Sequence, residues 1–138
     1  MEFLLDTNVL SEAVKTDPEP NVLDMMKRHQ NAIATAAPVW HELKFGCLRL
    51  ANSIKKAAIE TFLNEIVLPN IPVLSYDMRA ADWHAAQRER LTSLGKTPSF
   101  VDGHIAAITA VNDLVLVTRN LKDFENFIGL NTVSWHKS

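Results

Sequence analysis

The sequence predicts an α/β fold in which helices cover both faces of a parallel sheet. Short apolar runs alternate with longer segments of helical periodicity along the 138 residues. Most of these runs are continuously apolar, as in strands that are buried on both faces, whereas half-exposed strands alternate apolar and polar residues. The length fits one domain over residues 1–138, without a linker or an internal repeat.

The predicted strands are short runs of apolar or small residues that end at polar or turn-forming residues. The first run stops at Asp6-Thr7-Asn8, and the most strictly apolar run, Leu114-Val115-Leu116-Val117, stops at Thr118. In chain order, the predicted strands are residues 2–5, 32–34, 73–74, 114–117 and 132–133.

The predicted helices follow apolar spacings of three and four residues, and proline or glycine marks several of their ends. Proline-containing segments at residues 17–20 and 68–72, together with Gly95, end three of them. Pro38 is expected at the first position of another helix, whose apolar stripe includes Cys47. In chain order, the predicted helices are residues 7–15, 21–29, 38–50, 55–67, 76–94 and 99–111.

Composition and charge are those of an ordinary globular protein. The chain is 47% hydrophobic and 22% charged with a net charge of -2, so nucleic-acid binding would need a local basic patch or metal ions. The single cysteine, Cys47, cannot form an internal disulfide and favours a reducing compartment. The sequence has no signal-peptide pattern and no apolar segment of membrane-spanning length, so we expect a cytoplasmic protein without membrane contact.

The ends of two predicted strands carry polar residues that could meet. Asp6 follows the first strand, and Thr118, Arg119 and Asn120 follow the strand at residues 114–117. Because the carboxyl ends of parallel strands share one edge of a sheet, these groups could form one site. A simpler interpretation of Asp6 is that it caps the next helix.

Two further acidic residues lie on predicted helices. Glu42 lies off the apolar stripe of its helix and faces either a cleft or, as most glutamates do, solvent. Asp102 fits a helix-start box with Ser99, but Gly103 and nearby alanines form a flank of small residues that would allow close packing at a crowded site. A few convergent carboxylates suit Mg²⁺ or Mn²⁺. The histidines are scattered and the cysteine is alone, which argues against a zinc site. The sequence also lacks the G-x-S-x-G motif of a serine triad and a glycine-rich phosphate-binding loop.

Four blocks of the sequence carry a family resemblance. They are Phe3-Leu4-Leu5-Asp6-Thr7-Asn8-Val9-Leu10-Ser11-Glu12, then Pro38-Val39-Trp40-His41-Glu42-Leu43 with Phe45-Gly46, then Val101-Asp102-Gly103-His104-Ile105-Ala106-Ala107, and finally Leu116-Val117-Thr118-Arg119-Asn120 with Asp123-Phe124 and Trp135. With these blocks in this order, the chain resembles the PIN-domain ribonucleases, and most closely the VapC toxins of bacterial VapBC toxin-antitoxin modules.

The resemblance implies a three-layer α/β/α PIN-like domain with a parallel sheet of four or five strands and metal-dependent cleavage of RNA. By the family pattern, Asp6, Glu42 and Asp102 would bind the metal, which we expect to be Mg²⁺, with Mn²⁺ able to replace it. Many PIN domains carry a fourth acid where this chain has Asn120, and Asp123 could substitute for it. These five residues are the expected catalytic set.

The resemblance also implies a substrate and partners. We expect a highly structured RNA, for example a transfer RNA, with Arg49, Thr118 and Arg119 contributing to its binding. A VapB-like antitoxin would neutralise the toxin and make the contacts with DNA, and a two-fold homodimer is expected.

The alternative is a catalytically weak PIN-like module that acts in binding or regulation with its DNA-binding antitoxin, because Asn120 replaces an acid. A phosphatase of the haloacid dehalogenase type fits less well, because Asn8 stands where its second aspartate would be.

Overall fold

The computed structural model describes residues 1–137 and contains a sheet of five parallel strands. Ser138, the last residue of the predicted domain, lies outside the described residues. The order of the strands across the sheet is β3-β2-β1-β4-β5. In chain order, the strands are β1 Phe3–Leu5, β2 Ile33–Ala36, β3 Val73–Leu74, β4 Val115–Val117 and β5 Asn131–Val133.

The helices lie between the strands in the predicted order. The α-helices of the described chain are α1 Thr7–Leu10, α2 Pro20–Arg28, α3 Ala37–Arg49, α4 Ile54–Thr61, α5 Leu68–Asn70, α6 Met78–Ser93 and α7 Phe100–Val111. Shorter helical segments are the 3-10 turns Ser11–Val14 and Leu121–Phe124 and the π-helical segment Phe62–Val67. Within residues 1–137, no helix has the length and apolar character needed to cross a membrane.

The chain crosses the sheet in two directions. From β1 it moves outward through β2 to β3, and it then returns to place β4 and β5 on the other side of β1. Because crossovers between parallel strands are right-handed, connections in opposite directions lie on opposite faces of the sheet. This arrangement is the predicted three-layer α/β/α fold. Its switch point lies between β1 and β4, where ligands of open α/β sheets bind.

The central strand β1 brings two polar strand ends together. Leu5 of β1 is paired with Val117 of β4, and both side chains are fully buried. The residues that follow them, Asp6 and Thr118, therefore leave the sheet side by side. Because β1 and β4 are covered on both faces of the sheet, their sequences are continuous apolar runs. Cys47 of α3 is buried in the same core, as the sequence predicts.

Two predicted helices are less regular than their sequence pattern indicates. The predicted helix at residues 7–15 ends at Leu10 and tightens into a 3-10 turn, which carries the buried Glu12. The predicted helix at residues 55–67 widens into a π-helical segment from Phe62 onward, and this segment places three apolar side chains in the core. In both cases tertiary burial outweighs the local helical preference.

Candidate active site

Asp6 lies at the carboxyl end of β1 with both carboxylate oxygens engaged. Its backbone N–H donates to the Val117 carbonyl at 3.0 Å, which extends the pairing of β1 with β4. Its Oδ1 accepts a hydrogen bond from the Thr7 backbone N–H at 2.8 Å, and its Oδ2 accepts one from Thr118 Oγ1 at 2.8 Å. The Asp6 carboxylate therefore caps α1, as the simpler interpretation predicts, and it also contacts Thr118 at the end of β4.

Thr118 connects the two strand ends through its hydroxyl group. The residue is fully buried, and Oγ1 donates to Asp6 while accepting a hydrogen bond from the Asn120 backbone N–H at 3.1 Å. One hydroxyl thus ties the Asp6 carboxylate to the loop after β4. Asn120 itself is exposed, so its amide side chain is accessible beside this junction.

Asp102 lies in the first turn of α7, close to the helix cap. Ser99 Oγ accepts a hydrogen bond from the Asp102 backbone N–H at 3.1 Å. Among the hydrogen bonds of residues 1–137, the Asp102 carboxylate makes none to the Ser99 backbone, so only half of the predicted helix-start box forms. The predicted close packing of the small flank is present, because Gly103 lies directly against His84 of α6.

Burial and neighbouring negative charges raise the pKa values of Asp6 and Asp102. For Asp6, loss of hydration raises the pKa, its hydrogen bonds oppose the rise, and the charge of Asp123 adds to it. For Asp102, burial again raises the pKa, the Ser99 hydroxyl opposes the rise, and the charges of Asp123 and Asp6 add to it. Asp123 thus acts on both other acids and Asp6 acts on Asp102, and we call these three residues, Asp6, Asp102 and Asp123, the carboxylate cluster.

Glu42 lies outside the group of charges that act on the cluster. It is exposed on α3 and lines a cavity with Tyr76, Phe100 and His104. It is not among the charges that raise the pKa values of Asp6 or Asp102. Within residues 1–137, no three His, Cys, Asp or Glu side chains lie close enough together to hold a metal ion. The full ligand set of Asp6, Glu42 and Asp102 therefore stays a prediction.

Within residues 1–137, the two predicted RNA-binding arginines contact groups other than the cluster carboxylates. Arg49 is exposed near the end of α3, and its guanidinium lies 5.5 Å from the ring centroid of Phe45. Arg119 follows Thr118 in the chain, but it lines a separate cavity with Glu12 and His136. Neither arginine is in contact with the cluster carboxylates through the described hydrogen bonds or ion pairs of residues 1–137. Their role in RNA binding stays a prediction.

Sequence reasoning missed Glu12, a buried acid that lies six residues after Asp6 in the chain. Glu12 is 2% exposed and accepts hydrogen bonds from Lys15 Nζ at 2.6 Å and from the Glu19 backbone N–H at 2.8 Å. His136 Nε2 lies 3.2 Å from the same carboxylate. Burial raises the pKa of Glu12, but these three partners outweigh it and lower the pKa to about 2. The one signal available was its position three residues after the apolar Val9, on the inner side of the turn.

Comparisons with known proteins agree with this fold. The PIN domain family matches residues 3–128 of the chain. Toxin FitB of Neisseria gonorrhoeae is 30% identical over 130 residues, which cover 88% of this chain and 90% of FitB. The tRNA(fMet)-specific endonuclease VapC of Shigella flexneri is 29% identical over 136 residues, which cover 98% of each chain.

A solved structure extends the likeness to three dimensions. The crystal structure of DNA-bound VapBC from Salmonella typhimurium superposes with a TM-score of 0.84 at 26% identity, and the match covers 98% of each chain. Family match, relatives and structure all span nearly the whole described chain. The chain therefore belongs to the PIN-domain family and is similar over nearly its whole length to VapC ribonucleases.

Proposed function

We propose that the chain is the toxin of a type II toxin-antitoxin system and acts as a Mg²⁺-dependent endoribonuclease. The observation that carries this proposal is the Asp6 carboxylate at the switch point of the sheet, which is hydrogen-bonded to Thr118 at the end of β4 and whose charge interacts with those of Asp102 and Asp123. The PIN-domain match supports it, and so do relatives named ribonuclease and endonuclease.

The three carboxylates of the cluster have the donor type that a hard divalent cation prefers, although in residues 1–137 no three acidic, histidine or cysteine side chains lie close enough together to hold one. Asp6, Asp102 and Asp123 offer carboxylate oxygens, and Mg²⁺ or Mn²⁺ prefers oxygen ligands and keeps several waters. Burial and repulsion raise the pKa values of Asp6 and Asp102, so a bound cation would relieve the concentrated negative charge. Glu42 would join the set from the neighbouring cavity. Such an ion would supply an acidified water and would neutralise charge on the scissile phosphate.

The residues of the chain orient this site. The Thr118 hydroxyl and the Thr7 backbone N–H each hold one oxygen of Asp6, so the carboxylate keeps a single orientation. Each oxygen still has a lone pair for a further partner. Asn120, whose backbone is held by Thr118, would present its amide to the phosphate. Because water is the proposed nucleophile, the products should carry 5'-phosphate and 3'-hydroxyl ends.

A structured RNA is the proposed substrate, and transfer RNA is the first to test because one relative is named a tRNA(fMet)-specific endonuclease. The repelling carboxylates disfavour the approach of a polyanion, so the cation would serve substrate binding as well as the reaction. The exposed Arg49 and Arg119 would contact the RNA backbone outside the cluster.

A VapB-like antitoxin is the proposed protein partner. VapBC from Salmonella typhimurium is described as bound to DNA, and we assign DNA contact in this system to the antitoxin rather than to this chain. Free nuclease would damage cellular RNA, so neutralisation by a partner is needed in the cytoplasm, where we place the protein. We also propose that the chain forms a two-fold homodimer. We further propose a single domain, because strands from the beginning and the end of the chain, β1 and β5, belong to one sheet.

The test is incubation of antitoxin-free protein with total cellular RNA and Mg²⁺, followed by sequencing of the new 5' ends. Discrete fragments with 5'-phosphate ends are the expected result, and 2',3'-cyclic phosphate ends would contradict a water nucleophile. The binding-module alternative rests on Asn120 and on the incomplete ligand group within residues 1–137. A chain that binds its antitoxin tightly but cleaves no RNA would favour that alternative.

A further inference from the structure

The first turn of α7 approaches α6 as closely as a residue without a side chain allows. Gly103 follows Asp102 directly and is buried. A Cβ atom placed on Gly103 would lie 2.1 Å from His84 Nε2, with two more atoms of the same ring at 2.7 and 2.8 Å. The imidazole of His84 therefore occupies the space that any side chain at position 103 would need.

His84 is held in place from several sides. It is 2% exposed, and its Nδ1 lies 3.0 Å from the hydroxyl oxygen of Tyr76, within hydrogen-bond distance. The rings of Phe100 and His104, both on α7, lie 5.1 and 5.2 Å from the His84 ring between centroids. The ring is thus enclosed and hydrogen-bonded, and it cannot swing aside as the end of an exposed side chain could.

The geometry points to a positioning role for His84. We propose that its ring sets how closely α7 approaches α6 and thereby places the Asp102 carboxylate relative to Asp6 in the carboxylate cluster. This inference rests on the proposed function, because it assigns His84 a task at the metal site described there. His84 contacts neither Asp102 nor Asp6 in the described hydrogen bonds of residues 1–137, so it acts through the backbone of Gly103.

The close contact between Gly103 and His84 predicts that Gly103→Ala weakens metal binding. A Cβ on residue 103 would lie 2.1 Å from His84 Nε2, whereas ordinary van der Waals contact begins at 3.4 Å. The methyl group of alanine therefore requires α7 and the His84 ring to move apart by about 1.3 Å. A metal or catalytic site needs its ligands placed within about 0.5 Å of the productive geometry. Displacement of the turn that carries Asp102 should therefore weaken Mn²⁺ binding by roughly tenfold or more.

The double variant H84A/G103A separates positioning from general damage. Removing the imidazole leaves room for the methyl group introduced at position 103, so the double variant should bind Mn²⁺ more tightly than Gly103→Ala alone. The methyl group fills only part of the space that the imidazole leaves, so the double variant should remain less stable than the wild type. Recovery of metal affinity without recovery of stability is a result that a merely structural role would not produce. Gly46→Ala on α3 is the matched control, because a Cβ there meets no atom within 4 Å.

The experiment measures Mn²⁺ affinity by electron paramagnetic resonance on the full chain, with thermal unfolding recorded for each variant. The inference predicts weaker binding for Gly103→Ala, recovery in the double variant and wild-type affinity for Gly46→Ala. Wild-type affinity for Gly103→Ala, or equal loss in the double variant, would overturn it. If the wild type itself binds no Mn²⁺ in an Asp6-dependent manner, the metal site in the proposed function fails instead, so the two failures can be told apart.

Discussion

Replacing Glu12 with glutamine tests the electrostatics of the buried acid that joins two distant segments of the chain. Glu12 lies in the 3-10 turn after α1, and its partners include Lys15 in the next turn and His136 near the end of the described chain. Glutamine keeps the size of the side chain and can still accept the bond from the Glu19 backbone, but it carries no charge. The variant therefore isolates the contribution of ionisation.

The size of that contribution follows from the shift of the Glu12 pKa from 4.5 to about 2. At 1.36 kcal/mol per pKa unit, the ionised carboxylate contributes about 3 kcal/mol to the free energy of unfolding at neutral pH. Because Lys15 is 44% exposed, solvent screens its part of the interaction, and the measured value should lie at or below this figure. A depressed carboxyl pKa gives stability that is present above pH 4.5 and is lost as the pH falls toward about 2.

The assay is urea unfolding of wild type and Glu12→Gln at a series of pH values between neutrality and acid. We expect the variant to be about 2 to 3 kcal/mol less stable at neutral pH, and we expect this difference to shrink as the pH falls through the window below pH 4.5. Titration of Asp6 and Asp102 occurs in both proteins and cancels in the difference. A difference that stays constant with pH would refute the assignment of the stability to the Glu12 charge.

The stability of Asp6→Asn relative to the wild type should increase as the pH rises from acid to neutrality, because ionisation of a carboxylate with a raised pKa costs the wild type stability and asparagine does not ionise. Urea unfolding in which the relative stability of the variant falls with rising pH would contradict this sign. Thr118→Val removes the hydroxyl that bonds Asp6 and the Asn120 backbone, and it should cost about 1 to 3 kcal/mol by the same assay. Unchanged stability would mean that these bonds are not needed to satisfy buried groups. Ser99→Ala and Ser53→Ala each remove a helix cap and should each cost about 1 kcal/mol. Only Ser99→Ala should weaken Mn²⁺ binding, since α7 carries Asp102, and equal affinities for the two variants would contradict that expectation.

The parts of the site that follow strands could be predicted from the sequence. Asp6 and Thr118 each follow a continuous apolar run, and such runs identify buried parallel strands without knowledge of their neighbours. Their direct contact depends on β4 lying beside β1, and strand order is decided by long-range packing that a single sequence does not reveal. The general position of the site was therefore predictable, but its hydrogen bonds were not.

The residues that sequence reasoning missed depend on distant partners. His136 lies 124 residues from Glu12, and no periodic pattern links the two. His84 and Gly103 belong to different helices, so the close approach of α6 and α7 is visible only in the fold. Side chains on exposed helix faces, such as Arg49 and Glu42, were equally hard to place, because helical periodicity gives their direction relative to the core and not their neighbours.

The most direct test of the central claim is cleavage of RNA by the purified, antitoxin-free protein, run beside Asp6→Asn and an EDTA control. The carboxylate cluster predicts discrete cleavage by the wild type with Mg²⁺ or Mn²⁺, loss of cleavage with EDTA, and an inactive variant that remains folded. Equal cleavage by the folded Asp6→Asn variant, or cleavage that persists in EDTA, would contradict a metal-dependent reaction at this cluster.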